Sequence, residues 1–146
     1  MMSIVDHLRA GGVACHTRSM LRDARHRYGI SETTSVHHVI PRACAAHRLL
    51  RLVEFDVDTS AGNFVLMPTF RTAYFNVREG RLMHTGGHVR YNEFVWCCMD
   101  DILNAETSAR PCPVHVRRQY RIHAFTNLLL LLHAELRTSE PSIPWN

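Results

Sequence analysis

The stretch His37-His38-Val39-Ile40-Pro41 sets two adjacent histidines before a short apolar run that ends in proline. On a strand, successive side chains point to opposite faces of the sheet. One imidazole can then bind a metal while its neighbour acts as a general base. Proline cannot donate to a sheet ladder, so it predicts that a strand over residues 36–41 ends at Pro41.

Two later blocks extend this pattern. Asn63 precedes the apolar run 64–67, which Pro68 closes, and this predicts a second strand. His84 and His88 are four residues apart, a spacing that places two histidines on one helical face. Three imidazoles with an open position are typical of a catalytic metal site, whereas structural sites are closed.

Apolar residues at helical spacing predict a helix from Gly86 or Gly87 to about Asn104. Residues 69–83 form a long insert, for which we expect an extra hairpin turning at Glu79-Gly80. The expected core face of the helix consists of Tyr91, Phe94, Val95, Cys98 and Ile102.

Together these blocks resemble a known family. H-H-V-I-P at 37–41, N-x-V-L-x-P at 63–68 and H-T-G-x-H-x-x-Y-N at 84–92 resemble the HNH nucleases, also called ββα-metal or His-Me finger nucleases, and in particular their AHH branch. The resemblance covers about residues 36–100. Val36 stands where that branch has alanine. This departure from the family pattern removes no side chain that the expected chemistry uses.

The resemblance implies an α+β fold with a small ββα-metal core, formed by a two-stranded antiparallel hairpin and a metal-binding helix. We expect a single domain in which N-terminal helices and a long apolar C-terminal helix brace this core. The expected parts are a basic helical segment at 1–35, the core at 36–104, a linker at 105–113, the C-terminal helix at 114–137 and a tail at 138–146.

The resemblance also implies roles for individual residues. His38 is expected to be the general base, with His37, His84 and His88 as the metal ligands. Asn63 is expected to orient the loop that carries the base. Imidazole ligands favour Zn²⁺, Ni²⁺ or Mn²⁺ over Mg²⁺, which prefers oxygen. The cofactor we expect is therefore one divalent ion of the first group.

The roles of several other polar residues allow more than one interpretation. Arg42 and Arg90 are candidates for phosphate contacts, with solvated arginine as the alternative. Asp56 and Asp58 either accept a hydrogen bond from a ligating imidazole or are ordinary turn residues, and the second reading is favoured. His47 follows the first strand and could reach the site.

Composition is consistent with a nucleic-acid partner. The net charge is +4, and all seventeen basic side chains are arginine. Residues 1–30 and 108–146 are basic, whereas the predicted core is slightly acidic. The flanks are therefore expected to contact the phosphates of a nucleic acid. The nucleic acid we expect is DNA rather than RNA. Solvated basic surface is the alternative.

Five cysteines without a C-x-x-C pair favour reduced thiols and an intracellular location, in the cytoplasm, the nucleus or a virion. We expect no signal peptide, and the longest apolar run, 128–132, is too short to span a membrane.

The function expected is that of a metal-dependent endonuclease. The alternative is a catalytically silent protein of the same fold inside a virion or ribonucleoprotein. The C-terminal helix bears on this choice, because its apolar residues at spacings of three and four fit either the core or the seam of a homodimer. These residues are Ile122, Phe125, Leu129, Leu132 and Leu136.

Overall fold

The computed structural model describes residues 2–32, 34–68, 88–108, 113–137 and 143–144, without the side chains of residues 106–108. The insert at 69–83, its expected turn at Glu79-Gly80, and His84 lie outside these residues. The described elements are two strands, five α-helices and one short 3-10 helix. In chain order they are α1 (Ile4–Ala10), α2 (Arg18–Arg27), β1 (Thr34–His38), the 3-10 helix (Arg42–Cys44), α3 (Arg48–Leu52), β2 (Phe64–Pro68), α4 (Val89–Ser108) and α5 (Val114–Arg137).

The two strands pair antiparallel, as the sequence predicts, with His37 opposite Val65 and His38 opposite Phe64. β1 ends at His38 and not at Pro41. The strand is shorter because the Ile40 N–H donates to the side-chain oxygen of Asn63 and not to a backbone carbonyl of β2. The histidine pair therefore lies at the very end of the ladder.

Local capping explains where the two N-terminal helices begin. Ser3 and Asp6 form a reciprocal capping box at the start of α1. The Thr17 hydroxyl accepts from the Met20 N–H at the start of α2. The expectation of short helices before the first strand is thus confirmed.

Helix α4 packs one face into the core through Tyr91, Val95 and Met99, which are fully buried. The other residues of its expected core face, Phe94, Cys98 and Ile102, are partly buried against the same core. The helix continues through Ser108, four residues beyond its expected end at Asn104. The first part of the stretch 105–113 is therefore helical, and the linker expected there is too long.

Helix α5 is the central support of the core. Four of its five seam residues, Phe125, Leu129, Leu132 and Leu136, have no exposed surface, while the neighbouring Leu131 is 46% exposed. α5 packs against α1, α3, α4 and β2. The core interpretation of this helix is the one the structure supports, and a homodimer through α5 would have to use its other face. None of the described helices has the length and apolar character needed to cross a membrane.

Candidate active site

A cleft of about 340 Å³ opens where α2, β1, the 3-10 helix and the start of α4 meet. Four predicted site residues, His37, His38, Arg42 and His88, contribute to its wall. The described residues that line it are Arg18, Ser35, Val36, His37, His38, Pro41, Arg42, Ala43, His88 and Asn92.

His37 and His88 meet in this cleft although one comes from a strand and the other from the residue before a helix. Their ring centroids are 4.8 Å apart and their planes are nearly perpendicular, at 81°. His37 is 5% exposed. The His88 Nδ1 lies 2.8 Å from the Asn92 Oδ1. Because an amide oxygen can only accept, this bond places the proton of a neutral His88 on Nδ1 and the lone pair on Nε2.

The donor chemistry of this pair suits a borderline transition metal, since imidazole nitrogens bind such ions at about 2.0–2.1 Å. Among the residues described, no group of three His, Cys, Asp or Glu side chains converges as a metal site. The third expected ligand, His84, is outside them. The structure thus brings two of the three predicted ligands together, and their role as ligands stays a prediction.

His38 lines the same cleft as His37 but contacts different residues. Its ring packs edge-on against Phe64, with centroids 5.3 Å apart. Its Nε2 lies 3.0 Å from the Oδ1 of Asp58, and the same oxygen accepts from the Nε of Arg42 at 2.9 Å. Asp58 is therefore in contact with the expected base, and it also lies in the turn that the favoured interpretation predicts.

These contacts affect both titrating groups. Burial lowers the pKa of His38 below 6.5, and the hydrogen bond to Asp58 offsets part of that effect. The pKa of the Asp58 carboxyl is lowered, first by the hydrogen bond from His38 and next by the one from Arg42. At neutral pH the pair is thus a neutral imidazole beside a carboxylate.

Asp56 is the turn residue of this loop. Its Oδ1 accepts from the backbone N–H groups of Asp58 and Thr59, at 2.8 and 3.0 Å. Such a bond from an aspartate to the backbone two residues on is an Asx-turn. The turn therefore fixes the backbone of Asp58.

Asn63 is fully buried and joins two loops with one amide. Its Oδ1 accepts from the Ile40 N–H at 2.6 Å, and its Nδ2 donates to the carbonyls of Ile40, at 3.1 Å, and Val57, at 2.8 Å. Ile40 lies two residues after His38, and Val57 lies one residue before Asp58. This bonding is of the kind expected for a residue that orients the base-bearing loop.

Comparison with known families agrees with this geometry. The model of a family described as a nuclease family of the HNH/ENDO VII superfamily with conserved AHH matches residues 19–115, more than half of the chain. The chain belongs to this AHH nuclease family. The predicted family is thereby confirmed, and the membership implies a nucleic-acid substrate. This chain has no match among curated proteins or among solved structures.

The AHH match includes both strands and α4 but stops two residues into α5, so His133 lies beyond it. His133 is 5% exposed, and its Nε2 donates to the Gly62 carbonyl at 2.7 Å, immediately before Asn63. The sequence motifs do not single it out as a site residue. The signal that could have found it is spacing, since it lies four residues after Leu129 and three before Leu136 on the buried side of the helix.

Arg18 is a second residue of the AHH cleft that sequence reasoning did not select. It comes from the first turn of α2 and lines the cleft with His38 and Arg42. Within the part of the chain that the structure describes, its buried Nε–H has no hydrogen-bond acceptor. By contrast, the predicted Arg90 is exposed on the first turn of α4 and does not line the cleft.

His47, which could have belonged to the AHH site, has a structural role instead. Its Nδ1 accepts from the Leu49 N–H at 3.0 Å and so caps α3. Its Nε2 therefore carries the proton and donates to the Asp100 carboxylate at 2.8 Å. The ring also packs on Trp96, with centroids 4.5 Å apart. These contacts fasten α3 to α4.

Proposed function

We propose that this AHH-family protein is a metal-dependent endonuclease that hydrolyses nucleic-acid phosphodiester bonds, with His38 as the general base. The observation that carries the proposal is the contact of the Asp58 carboxylate with His38, which itself lines the cleft together with His37 and His88. A general base requires a neutral imidazole with an available lone pair at the working pH.

His38 meets this requirement for two reasons. The lowered pKa keeps the ring neutral near pH 7. The carboxylate of Asp58 can only accept, so the proton of the neutral ring is on Nε2 and the lone pair is on Nδ1. We infer that Nδ1 takes the proton of the attacking water.

His37 and His88, with His84, would hold the divalent ion, and we propose Zn²⁺, Ni²⁺ or Mn²⁺ before Mg²⁺ because imidazole nitrogens suit the first group better. When bound, the ion supplies charge neutralisation at the scissile phosphate and at the leaving oxygen. The leaving 3′-oxygen gives products with 5′-phosphate ends.

Arg18 and Arg42 are the cations we assign to the phosphate backbone. Both line the cleft, and the Arg42 side chain is 69% exposed even while its Nε donates to Asp58. A guanidinium has five N–H donors, so Arg42 can bond to Asp58 and to a phosphate together. We propose DNA as the substrate. We further propose that cleavage does not depend on sequence, because contacts to phosphates carry no sequence information.

The proposal is tested by nicking of supercoiled plasmid in Mg²⁺, Mn²⁺, Ni²⁺ and Zn²⁺ with three proteins. These are the wild type, His38→Ala and His115→Ala. His115 is exposed near the start of α5 and lies eighteen residues, about 27 Å of helix, from His133 beside the Asn63 loop. It is thus a histidine of the same chain remote from the cleft.

We expect cleavage by the wild type and by His115→Ala, and a loss of about 10²- to 10⁴-fold in His38→Ala, the usual contribution of a general base. Metal binding by His38→Ala, measured by calorimetry, should match the wild type. Cleavage by His38→Ala at the wild-type rate would remove His38 from its role, and inactivity of the wild type in every metal would contradict the nuclease proposal.

A further inference from the structure

We infer that Asp58 is a positioning residue for His38. The Asp58 carboxylate accepts the His38 Nε2–H and so keeps the lone pair of the imidazole on Nδ1. The inference rests on the proposed function of His38 as a base. This inference adds Asp58 to the residues that serve cleavage, although the sequence around Asp58 suggests only a turn.

The contact is a hydrogen bond of ordinary length to a charged acceptor. The Nε2–Oδ1 distance is 3.0 Å, and the His38 side chain is 13% exposed. A hydrogen bond to an ionised partner is roughly twice as strong as a neutral one. In the opposite tautomer the Nε2 lone pair would face this carboxylate. The contact therefore selects one of the two neutral forms of the ring.

Arg42 fixes the carboxylate from the other side. Its Nε donates to the same Oδ1 at 2.9 Å, so one oxygen accepts from both residues. This second bond limits rotation of the Asp58 side chain and helps to keep the carboxyl ionised. The three residues form a chain in the order Arg42, Asp58, His38.

The backbone under Asp58 is also fixed. The Asp58 N–H donates to the Asp56 side chain at 2.8 Å, and the preceding carbonyl, of Val57, accepts from the buried Asn63. The same Asn63 bonds to both backbone groups of Ile40, just beyond His38. One buried amide therefore sets the distance between the base and its carboxylate, which is the rigid support that a positioning contact needs.

A competing explanation is that Asp58 is simply the surface partner of Arg42 and that His38 lies beside it without consequence. The two explanations differ in what happens to the imidazole when the carboxylate is removed. Only a positioning role predicts a change in the ring's tautomer and a recovery when a longer carboxylate is supplied.

The first measurement is the tautomer of His38, read from its ring nitrogen shifts by NMR in the full chain at about pH 7.5, above the ordinary histidine pKa. The proteins are the wild type, Asp58→Ala, Asp58→Glu and Asp101→Ala. Asp101 is an exposed carboxylate on α4, thirteen residues after His88, and serves as the matched control.

We expect the Nε2–H form to predominate in the wild type and in Asp101→Ala, to be mixed with the Nδ1–H form in Asp58→Ala, and to return in part in Asp58→Glu. An Nε2–H form that persists unchanged in Asp58→Ala would overturn the inference. This readout requires neither metal nor cleavage, so it does not depend on whether the protein is a nuclease.

The second measurement is the single-turnover cleavage rate and the apparent KM on a labelled DNA duplex. We expect Asp58→Ala to lower the rate by about 10- to 100-fold, the size of effect found when the partner of a metal-bound histidine is removed, although His38 is here the base and not a ligand. The apparent KM should stay within about twofold. A rate equal to that of the wild type in a variant with an altered tautomer would overturn the catalytic part of the inference.

Folding is checked by circular dichroism, and Asp58→Leu, which keeps roughly the shape of the side chain and removes both acceptor oxygens, replaces Asp58→Ala if that variant does not fold. Failure of the inference and failure of the proposed function are distinguishable. If the wild type cleaves nothing, the nuclease proposal is overturned, and with it any role of Asp58 in cleavage. If the wild type cleaves and Asp58→Ala cleaves equally fast, only the role of Asp58 is overturned.

Discussion

Asn63 shows how a single buried side chain can support a whole site. Its amide makes three hydrogen bonds to the backbone of two loops, one just after His38 and the other just before Asp58. A buried backbone group that loses its partner costs about 1–3 kcal/mol. The effect of Asn63 on function is therefore inseparable from its effect on the stability of these loops.

We predict that Asn63→Ala lowers the free energy of unfolding by about 3 kcal/mol or more, because it leaves the Ile40 N–H and two carbonyls without their acceptor or donor. Urea denaturation measures the change. The control is Asn127→Ala, in which an exposed amide loses one 3.3 Å bond to His123. Equal losses in the two variants would contradict this account of Asn63.

His133 is a residue whose charge state is coupled to folding. Burial lowers its pKa in the folded protein; the hydrogen bond to Gly62 offsets part of this effect, and nearby Arg137 and His16 lower the pKa further. The bond to Gly62 uses its Nε2, and its buried Nδ1 has no hydrogen-bond partner in the part of the chain that the structure describes. A second proton would thus be placed on a nitrogen that has no acceptor.

We predict that His133 makes the protein less stable as the pH falls below about 6.5, the ordinary histidine pKa. Between that value and the lowered folded value the unfolded chain binds more protons, so the free energy of unfolding decreases, by at most about 1.4 kcal/mol per pH unit. Above about 6.5 the full contribution is present.

Urea denaturation at about pH 7.5 and about pH 5.5 tests this for the wild type, His133→Gln and His115→Gln. Glutamine can still donate to Gly62 but does not titrate in this range. His133→Gln should therefore lose less stability on acidification than the other two proteins. The same loss in all three would assign the pH dependence to other groups.

At the scale of elements, α5 acts as the brace of the AHH core. It packs against α1, α3, α4 and β2, and it carries the histidine that contacts the Asn63 loop. Nearly all of this helix lies outside the family match, so the support it gives is a feature of this chain beyond the matched part.

Two neighbouring leucines of α5 give a matched test of this brace. Leu132 has no exposed surface and Leu131 is 46% exposed. We predict that Leu132→Ala lowers the free energy of unfolding by about 2–5 kcal/mol, through lost burial and the cavity left behind. Leu131→Ala should change it by no more than about 0.5 kcal/mol. A large loss in Leu131→Ala, together with a dimer in light scattering, would place Leu131 in an interface.

At the scale of the whole molecule, charge distribution alone does not identify the arginines available to a ligand. Arg25 and Arg18 belong to the same basic helix. Arg25 donates through its Nε and NH2 to Thr34 and to the Ser31 carbonyl, which ties α2 to β1. Arg18 lines the cleft, and among the described residues its buried Nε–H has no acceptor. The basic flank is thus partly structural and partly available.

We predict that Arg18→Gln weakens duplex binding and lowers its salt dependence, because one phosphate contact fewer releases fewer counterions. The slope of log K against log salt should decrease by about 0.9. Binding is measured with a chelator present, so that no strand is cut. Arg9→Gln, which removes an exposed partner of Asp6 on α1, should leave the slope unchanged. Equal slopes for Arg18→Gln and the wild type would exclude Arg18 from the phosphate contacts.

The parts of the fold that sequence could predict are those set by local patterns. The alternation of a strand, the spacing of a helix and the stop at a proline act over a few residues, so the order of strands and helices and the buried face of α5 follow from the chain itself. The end of α4 did not follow, since residues 105–108 continue the helix without a strong apolar pattern.

The sequence by itself determined the family and the candidate histidines, because their motifs are contiguous and carry their chemistry with them. Only the tertiary structure decided which other residues serve them: Asp58 reaches His38 across twenty residues, and His133 reaches Gly62 across seventy-one. Such pairs are joined by the packing of strands and helices, and spacing along the chain does not encode them. That is why Asp58 resembled a turn residue in the sequence and lies against the proposed base in the fold.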